Sequence, residues 1–230
     1  MQLSIIAGAI LSVGQLATAA VMRSPSALPA SCTGVSAARY AGSVGAGWKA
    51  VKVAGSLTSP RGMVWDSAGH LLVVQSGKGI FAYTIGTDGC FSASKQVVTQ
   101  TNLNHGIAVS ADGKTLYASS STTVFQWTYD AATTSISGAS KSIITGMYNG
   151  GHPTRTLALS KLNPNLLVVS HGSNSNFDYP SENPAVGRSI VKVFDLSKLA
   201  STPYNYPKDG WNAGYGMRNE IGLIFDGNGM

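Results

Sequence analysis

The stretch Ser59-Pro-Arg-Gly-Met-Val-Trp-Asp-Ser-Ala-Gly-His-Leu-Leu-Val-Val74 returns as Asn104-His-Gly-Ile-Ala-Val-Ser-Ala-Asp-Gly-Lys-Thr-Leu-Tyr-Ala-Ser119. A looser third copy runs from Thr154 to Ser170, and a fourth opens at Asn219-Glu-Ile-Gly-Leu-Ile-Phe-Asp-Gly-Asn-Gly-Met230. Each copy is a short apolar run, a turn of Asp, Ser or Asn with Gly, and a second apolar run, which is the pattern of a β-hairpin. No stretch holds a helical period long enough to compete. A further strand-like segment follows each hairpin, beginning at Gly79, Thr123 and Ser189, so one repeat holds about four strands. A recurrence of roughly 45 to 65 residues is that of the four-stranded blade of an all-β propeller.

A propeller closes on itself to hide its sheet edges, typically with about 4 to 8 blades. About three blades and the start of a fourth are written here, so the functional unit is expected to be longer; one complete small domain is the alternative. We divide the chain into residues 1–20, residues 21–53 as an N-terminal arm and first outer strand, and residues 54–230 as a partial propeller.

Met1 to Ala20 carries no charged residue, has an apolar body at Ile5-Ile-Ala-Gly-Ala-Ile-Leu, and ends in small residues at Ala17-Thr-Ala-Ala20. That is a secretory signal lacking the usual basic start, and the alternative of a membrane anchor is disfavoured by its length. We therefore expect an exported, extracellular protein. The two cysteines, Cys32 and Cys90, then suggest a bridge pinning the arm to the first blade, against the alternative of two separate buried thiols. No Cys-x-x-Cys or paired His accompanies them, which argues against a metal site there.

The net charge of +6 comes from scattered basic residues, so nothing indicates a nucleic-acid partner. We expect a monomer with no membrane partner. No Asn-x-Ser/Thr acceptor is present.

Chemistry in a propeller collects around its axis, where the innermost strands begin. Arg61 opens the first copy, His105 the second, His152 and Arg155 the third, and Arg218 with Asn219 the fourth. Cations converging on one axis call for an anionic tenant, and an arginine fork suits carboxylates and ortho-quinone oxygens. His152 adds a group suited to taking a hydroxyl proton. Together these point to oxidation of an alcohol. Asp66, Asp112 and Asp226 read as turn formers. His171-Gly-Ser-Asn-Ser-Asn reads as a turn or a ligand loop, and Tyr204-Asn-Tyr-Pro-Lys-Asp-Gly-Trp as a loop over the site mouth or a packed connector.

The phrases Leu57-Thr-Ser-Pro-Arg-Gly-Met, Asn104-His-Gly-Ile-Ala-Val-Ser, Gly146-Met-Tyr-Asn-Gly-Gly-His-Pro-Thr-Arg-Thr-Leu-Ala-Leu-Ser, Val168-Val-Ser-His-Gly-Ser-Asn-Ser-Asn and Tyr215-Gly-Met-Arg-Asn-Glu-Ile-Gly resemble the glucose/sorbosone dehydrogenase family. The likeness is nearest to fungal secreted quinoproteins that oxidise pyranoses or sorbosone with pyrroloquinoline quinone (PQQ), and it covers Ala54 to Met230. The resemblance implies a six-bladed propeller, a sugar or related alcohol as substrate, PQQ and calcium as cofactors, and an external electron acceptor such as a cytochrome. It implies that His152 is the general base that accepts the substrate hydroxyl proton while hydride passes to the quinone, and that Arg218 and Asn219 bind the quinone oxygens. By the same resemblance His105 stands where soluble glucose dehydrogenases present a Gln to the cofactor, and Arg61 and Arg155 face cofactor carboxylates. Around Arg155 the spacing departs from that of the soluble glucose enzymes. The calcium ligands are expected beyond Met230, so this chain alone is expected to hold cofactor weakly or not at all, to be inactive or weakly active, and to expose apolar flanks.

A metal-dependent lactonase or esterase on a six-bladed propeller shares the hairpin phrasing but wants axial carboxylates, where this chain offers cations. A non-catalytic interaction propeller of the NHL type leaves His152 and Arg218 without a role.

Overall fold

The computed structural model describes residues 31–40 and 42–226, so the expected leader over residues 1–20 lies outside the described residues. The hairpin repeats become three antiparallel sheets. In the first, β1 (Pro60–Trp65), β2 (Leu71–Gln75), β3 (Gly79–Ile85) and β4 (Phe91–Val98) lie side by side in sequence order. The second repeats that order with β5 (Ile107–Val109), β6 (Thr115–Ser119), β7 (Val124–Asp130) and β8 (Ser135–Thr145). The third is built from β9 (Leu157–Leu159), β10 (Leu166–His171) and β11 (Ile190–Asp195). There the chain first lends β12 (Tyr204–Asn205) to the outer edge of the second sheet, parallel to β8, and then closes the third sheet with β13 (Trp211–Tyr215).

These are three propeller blades, with β1, β5 and β9 innermost and β5 beside both of the others. Two of the turn aspartates behave as read: Asp66 Oδ1 accepts from the amides of Ala68 and His70, and Asp112 Oδ1 from that of Lys114. No helix among the described residues is long and apolar enough to cross a membrane.

Period-two alternation stacks the blades. Leu116 and Ala118 of β6 join Leu72, Val74, Ile80 and Ala82 in a core between the first two blades, while Tyr117 between them turns to Val124, Leu167 and Val169 in a second core. Each Leu, Ile or Val side chain so buried contributes about 1.5–3 kcal/mol. The other face of the first blade meets the N-terminal arm, which carries no strand among its described residues. Cys32 and Cys90 are joined across 58 residues of sequence, which in the chain-entropy account stabilises by about 4 kcal/mol.

A polar tie supplements the first core. Tyr129 donates from its hydroxyl to Asp66 Oδ2 at 2.7 Å, joining β7 to the hairpin turn of the first blade. Tyr129→Phe leaves that carboxylate short of a donor, and a loss of about 1–3 kcal/mol in urea unfolding is expected.

Candidate functional site

The inner strand ends are locked to one another by a repeated device. Ser119 Oγ accepts from the Gly106 amide of its own blade and donates to the Arg155 carbonyl of the next. Ser170 Oγ does the same between the Thr156 amide and the Glu220 carbonyl. The approach is close enough that a Cβ on Gly62 would overlap the His105 carbonyl, and one on Gly106 the Arg155 carbonyl. His105, Arg155 and Glu220 are therefore equivalent positions of successive blades. The fourth entrance, read from sequence as Arg218 with Asn219, is structurally Glu220, and the row of cations ends in a carboxylate. Burial pushes that carboxyl up, and its own backbone amide and the Arg155 charge pull it back.

His152 sits on the loop entering the third blade and is held by Ser173. The Ser173 carbonyl accepts from both the His152 amide, at 3.0 Å, and Nδ1, at 2.8 Å. A carbonyl only accepts, so Nδ1 carries the hydrogen and Nε2 presents a lone pair. Two glycines permit this. Gly151 has φ 57°, and a Cβ there would overlap the Asn174 backbone. Gly172 meets the Arg218 carbonyl and His152 Cβ in the same way.

Arg155 lies beneath this loop with none of its surface exposed. Nη1 donates to the carbonyls of His152 and Thr154, each at 2.8 Å, and Nη2 to the Tyr148 carbonyl and to His171 Nε2. The expectation that Arg155 faces cofactor carboxylates is corrected by this burial: its fork is spent on bracing the loop that carries His152. His171 is equally buried, with Nδ1 on the Gly172 carbonyl and Nε2 accepting from the Tyr148 amide. Burial, and then the neighbouring Arg155 charge, lower its pKa to about 4.

Arg218 is exposed, and its Nε and Nη2 both donate to Asn176 Oδ1, at 2.9 and 2.6 Å. Its carbonyl accepts from the Ser173 amide at 2.8 Å, so Ser173 touches both His152 and Arg218. Asn219 Oδ1 accepts from Thr154 Oγ1 at 2.7 Å. His105 Nε2 donates to the Ile221 carbonyl at 3.0 Å, leaving Nδ1 a buried lone pair without a partner. Burial, then the Arg61 charge, lower the His105 pKa, although the hydrogen bond to Ile221 opposes them. Arg61 is exposed at the rim and donates from Nε to the Asn104 carbonyl. The structure thus brings His152, Arg218 and Asn219 onto one loop system. His105 is tied to that system through Ile221, while Arg61 stays at the rim and Arg155 below.

The TrAA12-like family model matches residues 42–230. The chain belongs to the TrAA12-like family. It is 38% identical to the PQQ-dependent pyranose dehydrogenase of Coprinopsis cinerea over 85% of this chain and 27% of that protein. It is 39% identical to the PQQ-dependent sugar dehydrogenase of Hypocrea jecorina strain QM6a over 77% of this chain and 43% of that protein. The holo form of the C. cinerea pyranose dehydrogenase PQQ domain superposes with a TM-score of 0.83 at 38% identity, covering 86% of this chain and 49% of that one. The calcium structure of the Trichoderma reesei family AA12 enzyme gives a TM-score of 0.70, covering 74% and 44%. The chain therefore spans half or less of these relatives.

In this TrAA12-like chain the structure decides between the readings that the sequence left open for two segments. Gly172-Ser-Asn-Ser-Asn176 holds both His152 and Arg218; its signal was a glycine where a hydroxyl-rich loop must pass close to backbone. The segment from Tyr204 to Trp211 is a packed connector. Tyr206 is fully buried and its hydroxyl reaches the carbonyls of Val169 and Ile190.

Two outcomes follow from this geometry. Gly151→Ala forces a side chain into positive φ and into Asn174; unfolding should show a loss of about 1–3 kcal/mol, with the His152 loop more open to proteolysis. The unfolded chain binds a proton at residue 171 near pH 6.5, which the folded chain refuses until about pH 4. Stability therefore falls as pH drops through that window, by about 3 kcal/mol at most. Replacing His171 by Gln should flatten the calorimetric slope of Tm against pH there; an unchanged slope would refute the assignment.

Proposed function

We propose that the chain forms part of a secreted PQQ-dependent sugar dehydrogenase, with His152 as general base and Arg218 and Asn219 at the quinone oxygens. The observation that carries this reading is the shared loop: Ser173 commits His152 Nδ1 and so frees Nε2, while the same loop holds the exposed fork of Arg218. The names of the relatives supply the cofactor and the substrate class. The bridge between Cys32 and Cys90 is consistent with export.

The residues fit such a group. Asn104 Oδ1, His105 Nδ1 and Glu220 Oε2, on the residues that open the inner strands, are buried without a partner. Arg218 has unused donors for anionic oxygens, and neutral His105 offers a lone pair to an N–H. No group of three or more His, Cys, Asp or Glu suited to a metal occurs among the described residues.

PQQ, when bound, supplies the two-electron acceptor for hydride. His152 Nε2 accepts the proton of the sugar hydroxyl being oxidised, and the Ser173 carbonyl stabilises the resulting imidazolium through Nδ1–H. Arg218 stabilises the negative charge that develops on oxygen. The Asn219 side chain is held by Thr154 beside them.

Titration of PQQ, with and without calcium, into the 230-residue chain and into the longest form its gene encodes tests this reading. Arg218→Ala should weaken binding about tenfold or more. His152→Ala should leave binding within about threefold and lower turnover by about 100-fold to 10,000-fold. No PQQ binding by any form sinks the proposal.

A further inference from the structure

We propose that Asn176 is the positioning residue of Arg218, aiming its guanidinium while leaving its charge uncompensated. The ligand for which Arg218 is aimed rests on the reading above; the clamp itself does not.

The argument begins with the donors. Nε and Nη2 of Arg218 converge on one oxygen, Asn176 Oδ1. The amide nitrogen of Asn176 cannot accept, so both hydrogen bonds fix the amide orientation as well as the fork. The Nη1 pair and one Nη2 hydrogen remain, on the edge of the guanidinium away from Asn176. Arg218 and Asn176 both line a cleft of about 280 Å³, with Glu182, Ser181 and Tyr215 on its other walls.

Asn176 is exposed, so it orients Arg218 only if its own loop is rigid. Asp178 supplies that rigidity. It is nearly buried and takes a two-pronged ion pair from Arg188, with Nε on Oδ2 and Nη2 on Oδ1, both at 2.8 Å. Asp178 Oδ2 also accepts from the Asn174 amide at 2.7 Å. Arg188 lies 5.0 Å from the Tyr148 ring centroid, which ties the loop to the turn before His152. On the other side, Ser173 joins the backbone of Arg218.

The residue type carries the chemistry. Aspartate at 176 would offer acceptor oxygens to the same two donors together with a neutralising charge, as Asp178 does for Arg188. Asparagine gives direction without cancelling the field. The ion pairs among the described residues do not include Arg218. Of the two arginines gripped by this loop, Arg188 is neutralised and structural, whereas Arg218 is aimed and left cationic for an anionic ligand.

Two arms test the proposal. In the first, without cofactor, arginine side-chain Nε–H signals are recorded by ¹⁵N NMR, with Arg218 assigned by its loss in Arg218→Lys. The Arg218 signal should be sharp and slowly exchanging in the wild type and in Asn176→Asp, and should exchange about tenfold faster or broaden away in Asn176→Ala; no change in Asn176→Ala overturns the clamp. In the second, PQQ with calcium is titrated into the same proteins. Binding about tenfold weaker in both variants is expected, Asn176→Ala through lost direction and Asn176→Asp through lost charge. Wild-type affinity in Asn176→Asp overturns the charge argument. A wild type that binds no PQQ refutes the functional reading, and the first arm then decides the clamp alone.

Discussion

The site depends on the lock between successive inner strands. Ser119 and Ser170 each accept an amide hydrogen from their own blade and donate to a carbonyl of the next. Such hydroxyls satisfy buried backbone groups that a sheet at the axis cannot pair within itself. The glycines at 62 and 106 then let the backbones approach to contact. With the two apolar cores fixing the spacing of the sheets farther out, the height at which each entrance loop leaves the rim is determined. His152 and Arg218 meet because two such entrances are set at one level.

That geometry explains what could be read from sequence. Hairpins were legible because alternation and turn chemistry are local: Gly79–Ile85 was read from its pattern and is β3. His152 was singled out because its neighbours carry a family phrase. The fourth entrance was misread because Arg218 and Glu220 differ by two residues, a shift that only the Ser170 contact to the Glu220 carbonyl resolves. Arg155 was misread for a different reason. An arginine before an apolar strand ordinarily points to solvent, but the glycine-rich turn ahead of it folds the loop back over the side chain and makes its own carbonyls the partners.

Arg155 is a buried cation facing carbonyl dipoles and a neutral imidazole in place of a carboxylate. Only a fixed fork with several donors can hold three carbonyls of one short loop together. A lysine would lose the geometry, and a neutral amide would lack the donors. The charge is retained, since burial lowers the pKa of Arg155 only to about 10. Burial keeps His171 neutral and the Arg155 field adds to it, while the same field pulls the Glu220 carboxyl down against its own burial. The brace under His152 thus also contributes positive potential to the rim, where an anionic ligand is proposed.

The outer faces of the first and third blades connect this chemistry to closure of the ring. In the middle blade both faces are buried, whereas Met63 and Trp65 on the first remain exposed beyond the arm. On the third, Val168, Val191, Val193 and Phe225 line an apolar cleft of about 270 Å³. Met217 lines both this cleft and the polar one beside Asn176. The segment from Met217 to Phe225 carries Arg218, Asn219 and Glu220 between those two clefts, anchored at Ser173, Thr154, Thr156 and Ser170. Whatever covers the apolar face bears on the same backbone that presents the cation to the rim. The apolar face and the alignment of Arg218 therefore share one backbone segment, held on its inner side by hydroxyls and Asn176.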